Sequence, residues 1–214
     1  MKRIALVLFV FFLCAAGTNE VAKKSCPNTF TGKRREIAKT NIATGKPTET
    51  TIPQLYNRPL PSDDVMKNTH HVTHTSARST PEKENVTIIC WLYTYSYQDD
   101  GDYHLILGSS ADKEDSRFFS GEVSGLPKKR SKNYKYYDKL KVARDQFKLV
   151  IKDSPPCPSS YISSLYDKPI KVEVTGSLFW DTEHTGGKCC SGPEGYKSES
   201  AWEVHPITEI HTVE

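Results

Sequence analysis

The sequence has few of the features that identify a membrane protein or a common enzyme. Its longest apolar run, residues 4–13, is about half the length that a transmembrane helix needs. It contains no Cys-x-x-Cys pair, which argues against a cysteine-based zinc site, and no HExxH, P-loop or Gly-x-Ser-x-Gly motif. The net charge of +3 is too small by itself to predict binding to nucleic acid. These absences exclude the commonest catalytic signatures, and the sequence alone does not decide whether the protein is an enzyme.

The N-terminus has the order of a cleavable signal peptide. Lys2 and Arg3 precede the apolar run, and small residues suitable for a signal peptidase follow it. We therefore predict a signal peptide over residues 1–17 and a secreted or periplasmic protein without a stable membrane span after cleavage. In such an oxidising compartment most of the remaining cysteines should form disulfides, with one left over, the set being Cys26, Cys90, Cys157, Cys189 and Cys190.

Residues 18–83 differ in composition from the rest of the mature chain. They are rich in Thr, Pro, Lys and Asn and show no sustained hydrophobic period, so we predict an extended or poorly ordered arm and linker. A few apolar residues interrupt this composition and are expected to pin part of the arm onto the folded domain, namely Ile52, Leu55, Tyr56 and Leu60.

Residues 84–214 have the pattern of a small β domain. Runs of β-branched and aromatic residues predict strands over residues 86–97, 103–107, 117–123, 170–180 and 201–210. Apolar residues at helical spacing predict one helix over residues 138–152. Three strands, a helix and two strands is the order of an OB-fold. The predicted fold class is therefore mainly β, a five-stranded OB-like Greek-key barrel with one helix between strands 3 and 4. An α+β sandwich fits the same order of elements.

Acidic residues and histidines recur together at the ends of the predicted strands. Two of the pairs, in the second and fifth strands, have a spacing of two residues that puts both side chains on one face. Imidazole and carboxylate groups are ligands of divalent metals, and a carboxylate also orients a neighbouring imidazole. The candidate binding residues are Asp102, His104, Glu122, Asp181, His184, Glu203 and His205, and the candidate ligands of a divalent metal are His104, His184, Glu203 and His205. Alternatively, each histidine only satisfies its acidic neighbour at the barrel rim.

A second candidate site is aromatic. Trp91, Tyr93, Tyr95 and Tyr97 alternate along the first strand, so their rings are expected to share one face. A basic segment with interleaved tyrosines, residues 128–137, lies further along the chain. Stacking rings with nearby cations are typical of OB-folds that bind single-stranded nucleic acid or sugars. The alternative is that the rings belong to the core and that the basic segment is only solvated.

Three segments, YQDDGDYHLIL, VEVTGSLFWDTEH and AWEVHPITEI, resemble a group of uncharacterised secreted bacterial proteins with DxHL, VTGxxFxDxxH and ExHPVxxI motifs. The upstream segments REIAKT, residues 35–40, and TTIPQLYNRPLP, residues 50–61, extend the resemblance over most of the mature chain. The resemblance implies secretion and marks the same seven acidic and histidine residues as motif positions. It implies no reaction. This chain departs from the group by a Lys/Tyr-rich insertion after Glu122 and by Cys189 and Cys190.

These patterns favour a secreted ligand-binding module whose partner is a nucleic acid or a glycan. One alternative is a metal-assisted hydrolase or nuclease that uses the histidine and carboxylate residues, and another is a structural envelope protein. Convergence of the acid–histidine pairs in space favours the enzyme, whereas dispersed pairs beside an exposed aromatic face favour the binding module. If His205 lies at the barrel rim, its replacement by Ala is expected to remove binding with little loss of stability. The oligomeric state is not predicted by the sequence.

Overall fold

The computed structural model describes residues 26–32, 35–59, 76–181, 191–198 and 200–214. The predicted signal peptide, Leu60, His184, Cys189 and Cys190 lie outside these ranges. Within them, no helix has the length and apolar character needed to cross a membrane.

The described chain forms six strands, three α-helices and two short 3-10 helices, Thr80–Glu82 and Lys132–Tyr136. The strands and α-helices are, in chain order, α1 (Glu36–Lys39), β1 (Thr48–Thr50), α2 (Ile52–Tyr56), β2 (Asn85–Tyr97), β3 (Tyr103–Gly108), β4 (Phe118–Val123), α3 (Tyr137–Val150), β5 (Ile170–Trp180) and β6 (Trp202–Thr212).

Five of the strands close into a barrel. Their order is β2-β3-β4-β6-β5, and β5 pairs again with β2. Strand β2 is long enough to pair with β5 along its first half and with β3 along its second half, which closes the ring. All barrel pairs are antiparallel except β4 with β6. The predicted mainly β fold, a five-stranded barrel with one long helix between its third and fourth strands, is confirmed.

The barrel interior is apolar. Alternate residues of each strand point inward because successive side chains of a strand face opposite sides of the sheet. On β3 these are Tyr103, Leu105 and Leu107, all of which are buried. Helix α3 contributes Phe147, whose ring packs edge-on against Tyr95 at a centroid distance of 5.2 Å.

The described part of the N-terminal arm is not an extended linker, so that part of the prediction is wrong. Strand β1 pairs with β2, and Phe30 and Ala38 are buried. The apolar residues predicted to pin the arm do so where they are described. Ile52 and Leu55 join the main core, and the Tyr56 hydroxyl donates to the carbonyl oxygen of Phe118 at 2.9 Å. The apolar residues of the arm are too irregularly spaced to show a hydrophobic period. Ile52, Leu55 and Tyr56 nevertheless all pack against the barrel.

A disulfide links the start of the arm to the segment after α3. Cys26 and Cys157 are bonded, and their Cα atoms are 5.5 Å apart. Cys90 is a free thiol inside the barrel, where burial raises its pKa. The expected pairing of cysteines is therefore confirmed for one pair within the described residues.

Candidate functional site

A buried polar cluster lies on the outer face of β3, β4 and β6. Its members are Asp102, directly before β3, with His104, Glu122, Glu203 and His205 on the strands. Their inward-facing neighbours belong to the apolar core, as the two-residue spacing predicts. All five side chains are nonetheless buried, because other parts of the chain cover this outer face. The barrel therefore has buried residues on both sides of these three strands.

The strand register brings the cluster together. His104 on β3 is directly opposite Glu122 on β4. The parallel pairing of β4 with β6 places Gly121 beside Val204. The next residues of the two strands, Glu122 and His205, are therefore neighbours as well. His205 Nδ1 lies 2.8 Å from Glu122 Oε2 and 3.2 Å from Glu203 Oε1. On the other side of the ring, His205 Nε2 lies 3.5 Å from Asp102 Oδ2.

Three residues from the covering segments contact the cluster. The Tyr161 hydroxyl lies 2.8 Å from His104 Nδ1. The ammonium nitrogen of Lys39 lies 3.8 Å from Glu122 Oε2, and the Arg78 guanidinium donates to the backbone carbonyl of His205. The cluster therefore combines strand residues with residues from the arm and from the segment after α3.

A buried ion pair joins two parts of the arm and is anchored to the backbone of Trp180 on β5. Arg35 donates from both terminal nitrogens to the Glu82 carboxylate, at 2.6 and 2.7 Å, and its guanidinium lies over the Phe179 ring. Glu82 also accepts from the backbone N–H groups of Ser79 and Trp180. Burial by itself raises the pKa of Glu82, but these partners outweigh it and hold the pKa below its usual range. The bidentate geometry is the strong form of such a pair and sets the position of α1.

The carboxylates of the cluster have divergent pKa values. Burial opposes ionisation of Glu122, but Lys39 and His205 hold its pKa well below the usual range. Burial and the charge of Glu122 raise the pKa of Glu203 to about 7. Burial also raises the pKa of Asp102 well above its usual range. Burial therefore favours the neutral form of Asp102, whereas the neighbouring cations favour the ionised form of Glu122.

Two basic groups at this site, His205 of the cluster and Lys39 of the arm, have raised pKa values. Burial lowers the pKa of His205, but Glu122, Glu203 and Asp102 outweigh it and raise the pKa to about 10. Burial also lowers the pKa of Lys39, but the negative charges of Glu122 and Asp102 outweigh this effect and raise the pKa above its usual range. The cluster is therefore a compact set of opposite charges with little access to solvent.

The cluster has ligand atoms without hydrogen bonds. Asp102 Oδ2 and His205 Nε2 are both buried and, within the described residues, neither makes one. Their separation of 3.5 Å is close to the roughly 3.4 Å between two ligand atoms on one tetrahedral metal at about 2.0–2.1 Å. One atom each from Asp102, Glu122 and His205 lies within 4.8 Å of the others, and so does one each from His104, Glu122 and Glu203. Because His205 and Asp102 are 0% exposed, the site admits only a small ion while the arm is docked, and a substrate reaches that ion only when the covering segments move away.

Most of the predicted acidic and histidine residues meet, but their setting differs from the prediction. The sequence left open whether His205 lies at a hydrated rim, and in the structure its side chain is fully buried. Asp181 follows β5, and its charge contributes to the raised pKa of Glu203. His184 lies outside the described residues. Sequence reasoning missed Lys39, Arg78 and Tyr161. The sequence around Lys39 shows no signal of this contact, because α1 is a single short turn and Arg35, its N-cap, has a left-handed backbone.

The predicted aromatic face does not form. The pairing of β2 with β3 shifts between Leu92 and Thr94, a bulge that reverses the facing of the residues after it. As a result, Tyr93 packs outside the barrel against Phe118, whereas Tyr95 packs inside it against Phe147. Tyr93 and Tyr95 are fully buried, and these two tyrosines offer no ring face to a ligand.

Tyr97 is half-buried at the end of β2. Its hydroxyl donates to the carbonyl oxygen of Pro27 at 2.6 Å, and its ring packs against Tyr103. The alternation rule is sound for a regular strand, and the bulge is the physical reason that it fails here.

Comparisons with protein-family models, with curated proteins and with solved structures found no match. The resemblance to secreted bacterial proteins therefore stays a prediction. The site is interpreted from its own geometry.

Proposed function

We propose that the protein is a secreted, OB-like barrel that holds a divalent metal ion in the buried cluster and acts as a metal-assisted nuclease. The observation that carries the proposal is the pair of buried ligand atoms, Asp102 Oδ2 and His205 Nε2, which make no hydrogen bond within the described residues. The strand order with its parallel β4–β6 pair supports the OB-like assignment. The disulfide between Cys26 and Cys157 supports export, since such bonds persist in oxidising compartments.

The ligand set suits a catalytic metal. Once His205 has lost a proton on binding, His205, Asp102 and Glu122 would supply three protein ligands, and a catalytic site keeps at least one further position for water or substrate. A mixture of imidazole and carboxylate ligands favours Mn²⁺ or Zn²⁺. His205 Nδ1 faces Glu203, and a carboxylate on that nitrogen fixes the ring so that Nε2 can bind a metal. The bound metal would supply an activated water as nucleophile.

The surroundings of the site favour nucleic acid as the substrate. The 3-10 helix Lys132–Tyr136 packs against α1, because the Asn133 side chain donates to the Ile37 carbonyl and to Thr40 Oγ1. Exposed cations line this segment and its approach, namely Lys128, Lys129, Arg130, Lys132 and Lys135. Cations beside exposed rings attract the phosphate backbone and the bases of single strands, and Tyr134 is an exposed ring here.

A pure binding module for nucleic acid or glycan is the less favoured function. It was predicted from a face of stacked rings, but Tyr93 and Tyr95 are buried in two different clusters. The basic segment that supported it is retained in the nuclease proposal as the surface that binds the substrate.

The metal site is tested by calorimetric titration of EDTA-stripped protein with Mn²⁺ and with Zn²⁺. Asp102→Asn is the informative variant, because Asn keeps the size of the side chain and removes the carboxylate that would bind the ion. We expect it to fold normally and to lose at least about 10-fold in affinity. His211→Gln is the matched control, since His211 lies 3.5 Å from Glu173 but is exposed. Wild-type protein that binds neither ion at millimolar concentration, or Asp102→Asn that binds as wild type does, overturns the proposal.

The reaction is tested separately with a single-stranded oligonucleotide and with an oligosaccharide. We expect metal-dependent cleavage of the oligonucleotide, and its loss in Asp102→Asn but not in His211→Gln. Metal binding without cleavage of the oligonucleotide would leave the metal site in place and show that the assigned reaction is wrong.

A further inference from the structure

The arm places a lysine among the carboxylates of the proposed metal site. Lys39 is the last residue of α1, and its Nζ lies 3.8 Å from Glu122 Oε2 and 3.8 Å from Asp100 Oδ2. The segment REIAKT, to which it belongs, has no role in the proposed function beyond anchoring the arm. Lysine side chains are mostly exposed, whereas that of Lys39 is only 17% exposed. The proposed function does not explain this burial.

The ammonium of Lys39 is held in place by its helix. One turn earlier, Arg35 forms the bidentate pair with Glu82, and Ala38 between them is fully buried. On the other side, Asn133 donates to the carbonyl of Ile37 and to Thr40 Oγ1. With both neighbouring turns anchored, the backbone of Lys39 cannot move away from the cluster unless these contacts break.

The contact between Lys39 and the cluster is one of charge. Its distances of 3.8 Å exceed hydrogen-bond length, so the ammonium acts on Glu122 mainly through Coulomb attraction. His205 is the other positive group that faces Glu122 directly, and Asp102 and Glu203 are the other acidic groups nearby. A divalent ion bound by Asp102, Glu122 and His205 would add two positive charges beside this ammonium.

We propose that Lys39 is a tethered cation that balances the charge of Glu122 in the metal-free protein and competes with the metal ion for the cluster. This inference rests on the proposed metal site. Because coupling between two binding events is reciprocal, a bound metal weakens the hold of the arm on the barrel, and a docked arm weakens metal binding. Docking of the arm on the barrel and binding of a metal ion to the cluster therefore oppose each other.

The first test compares Mn²⁺ affinity in wild type, Lys39→Met and Lys39→Arg by calorimetry. Lys39→Met keeps the length of the side chain and removes its charge, so we expect affinity to rise at least about 10-fold. Even with the dielectric constant of water, repulsion between an ammonium and a divalent ion about 5 Å apart exceeds a tenfold effect. Lys39→Arg keeps the charge and should keep the weaker affinity. An unchanged or lower affinity in Lys39→Met, with normal binding by wild type, overturns this inference alone.

Lys139→Met is the matched control. Lys139 of α3 pairs with Glu209 at 3.5 Å, and both side chains are half-exposed, unlike the buried side chains of the cluster. Its replacement should leave Mn²⁺ affinity unchanged. An equal rise in both methionine variants would mean that loss of net charge, and not the place of Lys39, controls affinity, which also overturns the inference.

The second test needs no metal. Melting temperatures of wild type, Lys39→Met, Glu122→Gln and the double variant are measured in EDTA. If Lys39 is the counter-ion of Glu122, Lys39→Met lowers the melting temperature in wild type and lowers it less in Glu122→Gln. Equal decreases in both backgrounds overturn the inference. Coupling between the two residues without Mn²⁺ binding by any variant overturns the proposed metal site, and the competition with it.

Discussion

The two faces of strands β3, β4 and β6 are buried to a similar degree but by opposite chemistry. On β6, Val204 points into the barrel and its neighbour His205 points outward, and both are fully buried. The inner face stabilises the fold by removing apolar surface from water. The outer face contains ionisable groups whose burial is costly unless they are paired. A barrel of this kind needs only the first face to fold.

The polar outer face is the better candidate for the functional site. Apolar residues at the outer positions would be covered by the arm equally well and at lower cost. Instead, Asp102 and His205 stay buried there with ligand atoms that make no hydrogen bond within the described residues. Groups held at such a cost are typical of functional sites. The inner face therefore supports the fold, and the outer face carries the proposed chemistry.

The largest expected effect concerns the buried ion pair between Arg35 and Glu82, which stabilises the packed form of the arm. Glu82→Gln should lower the free energy of unfolding by about 3–5 kcal/mol, because it leaves the buried Arg35 guanidinium without its charged partner. Glu84→Gln is the matched control two residues away. It removes the half-exposed pair with Arg58 and should cost about 0–1 kcal/mol. Urea unfolding measures both, and equal effects would show that the arm is held mainly by apolar contacts.

A cavity on the inner face should lower the stability of the protein without changing metal binding at the outer face. Leu105→Ala removes a fully buried side chain from β3 and should cost about 2–5 kcal/mol of unfolding free energy. Its neighbour His104 faces the cluster, so the Mn²⁺ affinity of the folded variant should stay near that of wild type. Urea unfolding followed by calorimetry at low temperature checks both statements. A parallel loss of affinity would mean that the two faces are not independent.

The charged outer face should make stability depend on pH. The pKa of His205 is raised to about 10 by its acidic neighbours, against an ordinary value of 6.5. Its contribution is therefore complete below about pH 6.5 and is lost as the pH rises through about 10. In EDTA, the melting temperature should fall from pH 7 to pH 10, and it should fall less in His205→Gln. Identical pH profiles of the two proteins would contradict a charged His205.

The smallest expected effect concerns the hydroxyl that contacts His104. Tyr161→Phe removes its 2.8 Å contact with His104 Nδ1 and should cost about 0.5–1.5 kcal/mol of unfolding free energy. It should also weaken Mn²⁺ binding modestly if that contact orients the histidine. Tyr97→Phe, which removes the hydrogen bond to Pro27, is the control and should not change Mn²⁺ affinity. Thermal melts and calorimetry distinguish the two variants.

Local pattern was enough to predict most of the barrel. All five barrel strands and α3 lie close to their predicted ranges, because β-branched runs and helical spacing report local preference directly. The same rule placed His104 and His205 on the face opposite Leu105 and Val204. It failed for Tyr93 and Tyr95, because a bulge changes the facing of a strand without an evident signal in its composition.

Local sequence is therefore sufficient to predict the order of the strands along the chain and the face of each side chain on a regular strand, because both depend on near neighbours in the chain. The meeting of Asp102, Glu122 and His205 depends on tertiary contacts, since β4 and β6 pair although β5 lies between them in the chain. Only tertiary contacts place Lys39 and Tyr161 over them. Those contacts depend on packing between distant segments, and a residue in an aperiodic arm shows no sign in its own neighbourhood of the surface on which it will dock.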